Sequence, residues 1–199
     1  MADFPRTMVE DLSVSRMIVG TNWFLGYSHM SAAKDQLIRK LMTRERIADI
    51  LEVFLQGGVD TLMGVDTAAP WLQEAIADAQ DRTGRKYITI TTPTLNVGDG
   101  PEALAENERI LDDYAALGSS ICMPHQQTTD AMIDRQRRVT NMEKYVDMIR
   151  QRGMIAGLST HMPEIVIYAD ETELHVATYI QIYNAAGFLM QIETEWVIG

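Results

Sequence analysis

Two histidines and a glutamate, residue types that move protons or bind metal ions, fall at the ends of short apolar runs. His125 closes the run within Ser119-Ser-Ile-Cys-Met-Pro-His-Gln-Gln-Thr-Thr-Asp130, His161 follows Gly157-Leu158-Ser159-Thr160, and Glu193 follows Met190-Gln191-Ile192. If the three runs are adjacent strands, both imidazoles and the carboxylate converge at one rim, and period-two alternation sets Gln191 and Glu193 on the same face of their strand. Such a set suits a divalent metal with an open position for substrate or water. The same imidazoles also suit acid–base chemistry on an organic ligand. Asp66, in Val65-Asp66-Thr67, either caps the helix that follows it or takes part in the chemistry. Asn22 and Trp23 are expected on the wall of the cavity that His125 and His161 share with Glu193. His175 is expected at the surface.

The elements that must position these residues follow a repeating pattern. Arg6 to Met17 reads as a hairpin or extended lead-in, Met17 to Phe24 as strand one, and Ser31 to Met42 as a short helix after an aromatic and polar loop. A helix capped by Thr43 carries Ile47, Ile50, Leu51, Phe54 and Leu55 at helical spacing and stops at Gly57-Gly58. Strand two is Val59 to Val65, followed by a helix from Pro70 to Gly84; strand three is Tyr87 to Thr92, followed by a helix from Pro101 to Leu117. Strand four leads into His125, and Met142, Tyr145, Val146 and Ile149 mark the next helix. Strand five is Met154 to Leu158. Helical segments at Pro163 to Ala169 and Val176 to Asn184 then precede strand six at Phe188 to Glu193.

Short strands alternating with helices predict an α/β fold with parallel strands, and a TIM-type (β/α) barrel fits best, with about six of the eight βα units present. The doubly wound alternative wants a glycine-rich phosphate loop after strand one, and Gly20-Thr21-Asn22-Trp23-Phe24-Leu25-Gly26 lacks that spacing. Residues 1–199 are read as one barrel domain, incomplete at its C-terminus as the product of a longer gene or completed by association into a homo-oligomer, because bare parallel edges invite pairing.

Composition narrows the partners. The 199 residues carry 17 basic and 28 acidic side chains, a formal charge of −11, which repels nucleic acid and anionic membranes. The basic run Arg135, Arg137, Arg138 reads as a solvated segment, with phosphate binding as its functional alternative. The single cysteine, Cys122, cannot form an internal disulfide and is expected to pack as a thiol in a cytoplasmic protein. A small-molecule substrate is therefore the expected partner.

Several segments together resemble the aldo/keto reductase superfamily. Ser13-Val14-Ser15-Arg16-Met17-Ile18-Val19-Gly20-Thr21 is similar to that family's first-strand region, and Val65-Asp66-Thr67-Ala68 to its Asp-Thr-Ala motif. His125, Gly157 to Thr160, and Met190-Gln191-Ile192-Glu193 follow in family order. The resemblance implies carbonyl reduction with NADPH, Asp66 and His125 as members of the catalytic tetrad, and Ser159, Thr160 and Gln191 around the nicotinamide. The chain departs from the pattern where Trp71 occupies the place of the acid Tyr, where Thr92-Pro93 occupies the place of the Lys, and where Thr160 replaces an Asn. An indole cannot deliver a proton as a phenol does. The expectation is weak or absent NADPH binding, with three readings left open: a barrel of this kind acting on or binding a small polar metabolite, a metal-dependent lyase, isomerase or hydrolase using His125, His161 and Glu193, and a non-catalytic binding or scaffold protein.

Overall fold

In a computed structural model, which describes residues 4–134, 138–184 and 187, strands and helices alternate within two compact units, one ending at Thr91 and the other beginning at Thr92. The first unit opens on an antiparallel hairpin, β1 (Arg6–Val9) and β2 (Leu12–Ser15), in register from Arg6 opposite Ser15 to Val9 opposite Leu12. Three parallel strands follow in chain order: β3 (Ile18–Gly20), β4 (Thr61–Met63) and β5 (Ile88–Thr91).

Local chemistry sets the helices of this unit. The side chain of Ser31 accepts the Lys34 N–H to start α1 (Ala32–Leu41), and that of Thr43 accepts the Arg46 N–H to start α2 (Arg44–Gln56), each at 3.3 Å. Both satisfy an amide with no partner inside the helix. Helix α3 (Pro70–Thr83) begins on proline and ends where Gly84 takes the left-handed conformation that side-chain-bearing residues avoid. Spacing of three and four puts Ile47, Ala48, Leu51 and Leu55 of α2 and Leu72, Ala75, Ile76 and Ala79 of α3 into one core with Val19, Leu62, Val65 and Tyr87. The Tyr87 hydroxyl donates to the Leu51 carbonyl at 2.7 Å, so the one polar atom this ring brings inside is paired. Exposed ion pairs from Arg44 to Glu74 and Asp78, and from Arg82 to Asp49 and Glu52, join α2 to α3 and contribute little each beside that burial.

The second unit has its own three parallel strands, β6 (Ile121–Cys122), β7 (Ile155–Thr160) and β8 (Thr178–Gln181), again in chain order. Around them are α4 (Pro101–Ala116), α5 (Gln126–Thr129) with a 3-10 turn at Asp130–Met132, α6 (Met142–Gln151) and α7 (Pro163–Glu171). Leu111, Tyr145, Ile149, Leu158, Ile165 and Tyr168 pack as its core, and Cys122 is a buried thiol there. Gly157 is required in β7, because a Cβ at that position would lie 2.7 Å from the Thr178 carbonyl of β8 and 2.9 Å from Met123.

The fold class is α/β, a partial TIM-type (β/α) barrel, with six parallel strands and seven helices among the described residues. No helix among them is long and apolar enough to cross a membrane. Two expectations change. The segment Val176 to Asn184, read as helical, contains β8, and its Val176, Thr178, Ile180 and Ile182, together with Tyr179, favour an extended backbone. Strand six at Phe188 to Glu193 lies outside the described residues, so β8 occupies the sixth parallel position. The run ahead of His125 is also shorter than read: β6 ends at Cys122, and His125 starts a helix of four residues.

Candidate functional site

The second unit gathers titratable groups where β6 and β7 end. Strand pairing runs Ile121 beside Ile155 and Cys122 beside Ala156, and the contact continues past the strand, since the Ser159 N–H donates to the Pro124 carbonyl at 3.3 Å. His125 and the Thr160-His161 pair therefore leave the sheet side by side. The backbone of His125 is fixed by its N–H donating to the Pro93 carbonyl at 2.8 Å. The Thr129 hydroxyl donates to the Pro124 carbonyl at 3.1 Å, and the Thr128 hydroxyl, accepting from the Leu95 N–H at 2.8 Å, holds α5 to the segment after β5.

The imidazole of His125 is the N-cap of α5, its Nδ1 accepting the Gln127 N–H at 3.3 Å. That bond assigns the tautomer: with Nδ1 as acceptor, the neutral ring carries its proton on Nε2 and presents a donor. Burial holds the pKa of His125 below its ordinary value of 6.5, the charge of His161 pushes the same way, and Asp130 opposes both. At neutral pH His125 is an uncharged donor, an arrangement suited to polarising a ligand oxygen without carrying a charge into the site.

Asp130 completes the group. One carboxylate oxygen accepts the Thr160 hydroxyl at 2.5 Å and the other accepts the His161 N–H at 3.2 Å, which ties the turn after α5 to the end of β7. The Thr160 hydroxyl is itself an acceptor for the Met162 N–H at 2.9 Å. Burial raises the pKa of Asp130 above 3.8, while those two hydrogen bonds and the histidines pull it down. A half-buried carboxylate among two imidazoles is the pattern expected where protons are held or moved.

The structure thus brings His125 and His161 together, with Thr160 and Ser159 on β7 beside them, and adds Asp130, which the sequence reading passed over although it closes the segment containing His125. Gln191 and Glu193 lie outside the described residues, as do Arg135 and Arg137. Among the described residues no group of three His, Cys, Asp or Glu side chains is arranged to hold a metal ion. Asp66 belongs to the first unit, where its side chain accepts the Ala68 N–H at 2.9 Å in a turn, and Ala69 rather than Asp66 is the N-cap of α3. In the loop after β3 of that unit, Asn22 lies 3.0 Å from His29 Nε2, with His29 at a φ of 55°, and Lys34 sits 5.4 Å from the ring centre of the exposed Trp23. His175 is exposed, in the turn region before β8 rather than on a helix.

No protein family matches the chain, and no curated protein matches it. Among solved structures it is similar to the carboxyl transferase domain from Rhizobium etli pyruvate carboxylase. With pyruvate and biocytin bound, that domain gives 13% identity and a TM-score of 0.48 over 73% of this chain and 25% of that one. With 3-bromopyruvate, the values are 12% and 0.45 over 84% and 32%. The chain spans about a quarter to a third of the length of those structures. The resemblance to aldo/keto reductases is therefore corrected, and with it the oxidoreductase reading: no family match supports it, and the similar solved structures are of a different kind. Val65 to Ala68, His125 and Ser159-Thr160, among the motifs that suggested it, are short runs at or just past strand ends, a pattern common to (β/α) folds of many activities.

Proposed function

We propose that this chain binds or acts on a small polar metabolite at the ends of β6 and β7, with His125 donating from Nε2 to an oxygen of the ligand and with Asp130 and His161 as its neighbours. The observation that carries this reading is a neutral, helix-capping imidazole beside a second histidine at the end of β7, with the half-buried Asp130 of the turn after α5 bonded to that strand end. Parallel α/β sheets carry their ligand sites at the carboxyl ends of the strands, where successive loops converge.

A screen of hydroxy acids, keto acids, sugars and amino alcohols, followed through the imidazole resonances of the full chain, tests it. Ligands of the site are expected to move the signals of His125 and His161 together. Ligands that bind while leaving both unchanged would contradict the assignment.

A further inference from the structure

We infer that Glu164 is a second ligand-recognition residue of this site and that it selects metabolites offering a hydrogen-bond donor, a hydroxyl or an ammonium group; the inference rests on the site proposed above. Glu164 is the second residue of α7, three positions after His161, and only 5% of it is exposed. Its Oε2 is fully buried and has no hydrogen-bond partner among the described residues. Burying a carboxyl oxygen without a partner is costly, and native structures keep such atoms rarely, chiefly where a ligand supplies what the protein withholds.

Three features place this oxygen with the site rather than with the packing. The side chains of a helix lean towards its N-terminus, so Glu164 points back along α7 towards the turn that carries His161 and Met162. The N-cap of α7 is Met162, which makes no side-chain cap hydrogen bond, so the helix opens directly after the His161 turn. Glu164 shares the buried face of α7 with Ile165, Tyr168 and Ala169, and it is the one carboxylate among them. The other buried side-chain atom without a partner among the described residues, Ser119 Oγ, precedes β6 at the opposite end from His125.

The chemistry is complementary to that of His125. His125 presents a donor and Glu164 presents an acceptor, so the ligand carries both an oxygen acceptor and a hydroxyl or ammonium donor. The test uses the full chain with Glu164→Gln and Glu164→Leu, and with glycerol, ethanolamine and acetate as probes. Without any probe, Glu164→Leu is expected to raise the thermal midpoint by roughly 2–4 °C, because an unpaired buried oxygen is removed. The same variant is expected to weaken the response of the histidine signals to glycerol and ethanolamine at least tenfold while leaving that to acetate unchanged. Glu164→Gln, which keeps an acceptor but no charge, should weaken ethanolamine more than glycerol. A lowered midpoint in Glu164→Leu, or an unaltered response to glycerol and ethanolamine, overturns the inference. A histidine response to acetate alone in the unaltered chain overturns it too while leaving the site standing, whereas silence to all three probes and to the wider screen removes both.

Discussion

Changing His125 to Asn is expected to reduce affinity for a ligand of the site, or turnover of a substrate, by about 10²–10³-fold, the loss typical of removing one preorganised donor aimed at a reacting or bound oxygen. Asn is the informative choice because its side-chain oxygen preserves the N-cap that the Nδ1 of His125 supplies to Gln127, while nothing remains at the position of Nε2. Alanine would confound the result by removing the cap as well, at a cost of about 0.5–2 kcal/mol. The check is a titration of any ligand found by screening, with thermal unfolding in parallel. A midpoint within a few degrees of the parent and a binding constant hundreds of times weaker is the expected pair. Binding within twofold of the parent would show that the ring of His125 only caps a helix.

Leu51→Ala is the largest stability loss expected in the first unit, about 2–5 kcal/mol. Leu51 is 0% exposed, sits at the centre of the α2 face that meets α3, and its carbonyl receives the Tyr87 hydroxyl. Truncation removes the transfer energy of the missing methyl groups and leaves a cavity among Leu55, Leu72 and Ala75 that rigid helices cannot close fully. Val53, two residues along on the same helix, is 67% exposed, and Val53→Ala should change stability by no more than about 0.5 kcal/mol. Denaturant unfolding of the two variants side by side checks the assignment of faces. Equal effects would contradict it.

How much of this was legible in the sequence depended on how local the cause was. Thr43 with the apolar stripe of α2, and Pro70 with Gly84 around α3, specify their helices within a dozen residues, so the structure reproduces them closely. The strand at Thr178–Gln181 was misread because its flanks resemble a helix, while its extended form is decided by pairing with β7 across the sheet. Helix α5 was missed for a similar reason: four residues have no periodicity to detect, and their helix is held by Pro124, Leu95 and the cap at His125. In the site, the two histidines were visible because each ends an apolar run. Asp130 was not, since its bonds to Thr160 and the His161 amide span about thirty positions of chain. Glu164 reads as an ordinary acidic residue in a first helical turn, and only its burial sets it apart.

The coupling within the cluster has a definite pH signature. Because the folded pKa of His125 lies below 6.5, the unfolded chain binds this proton more readily. Stability associated with His125 is therefore whole above pH 6.5 and falls as the pH drops through that value towards the folded pKa. Asp130 has the opposite sign: its folded pKa is raised above 3.8, so its contribution is whole below that value and is lost as pH rises through the folded pKa.

The most direct test of the shared site is an imidazole titration of the full chain by NMR, repeated in His161→Gln and Asp130→Asn. His125 is expected to titrate below 6.5, to move upwards when the His161 charge is removed, and to move further down when the opposing Asp130 charge is removed. A His125 midpoint at 6.5 that neither substitution shifts would mean that the two histidines and the carboxylate do not form one electrostatic unit, and the proposed site would fall with it.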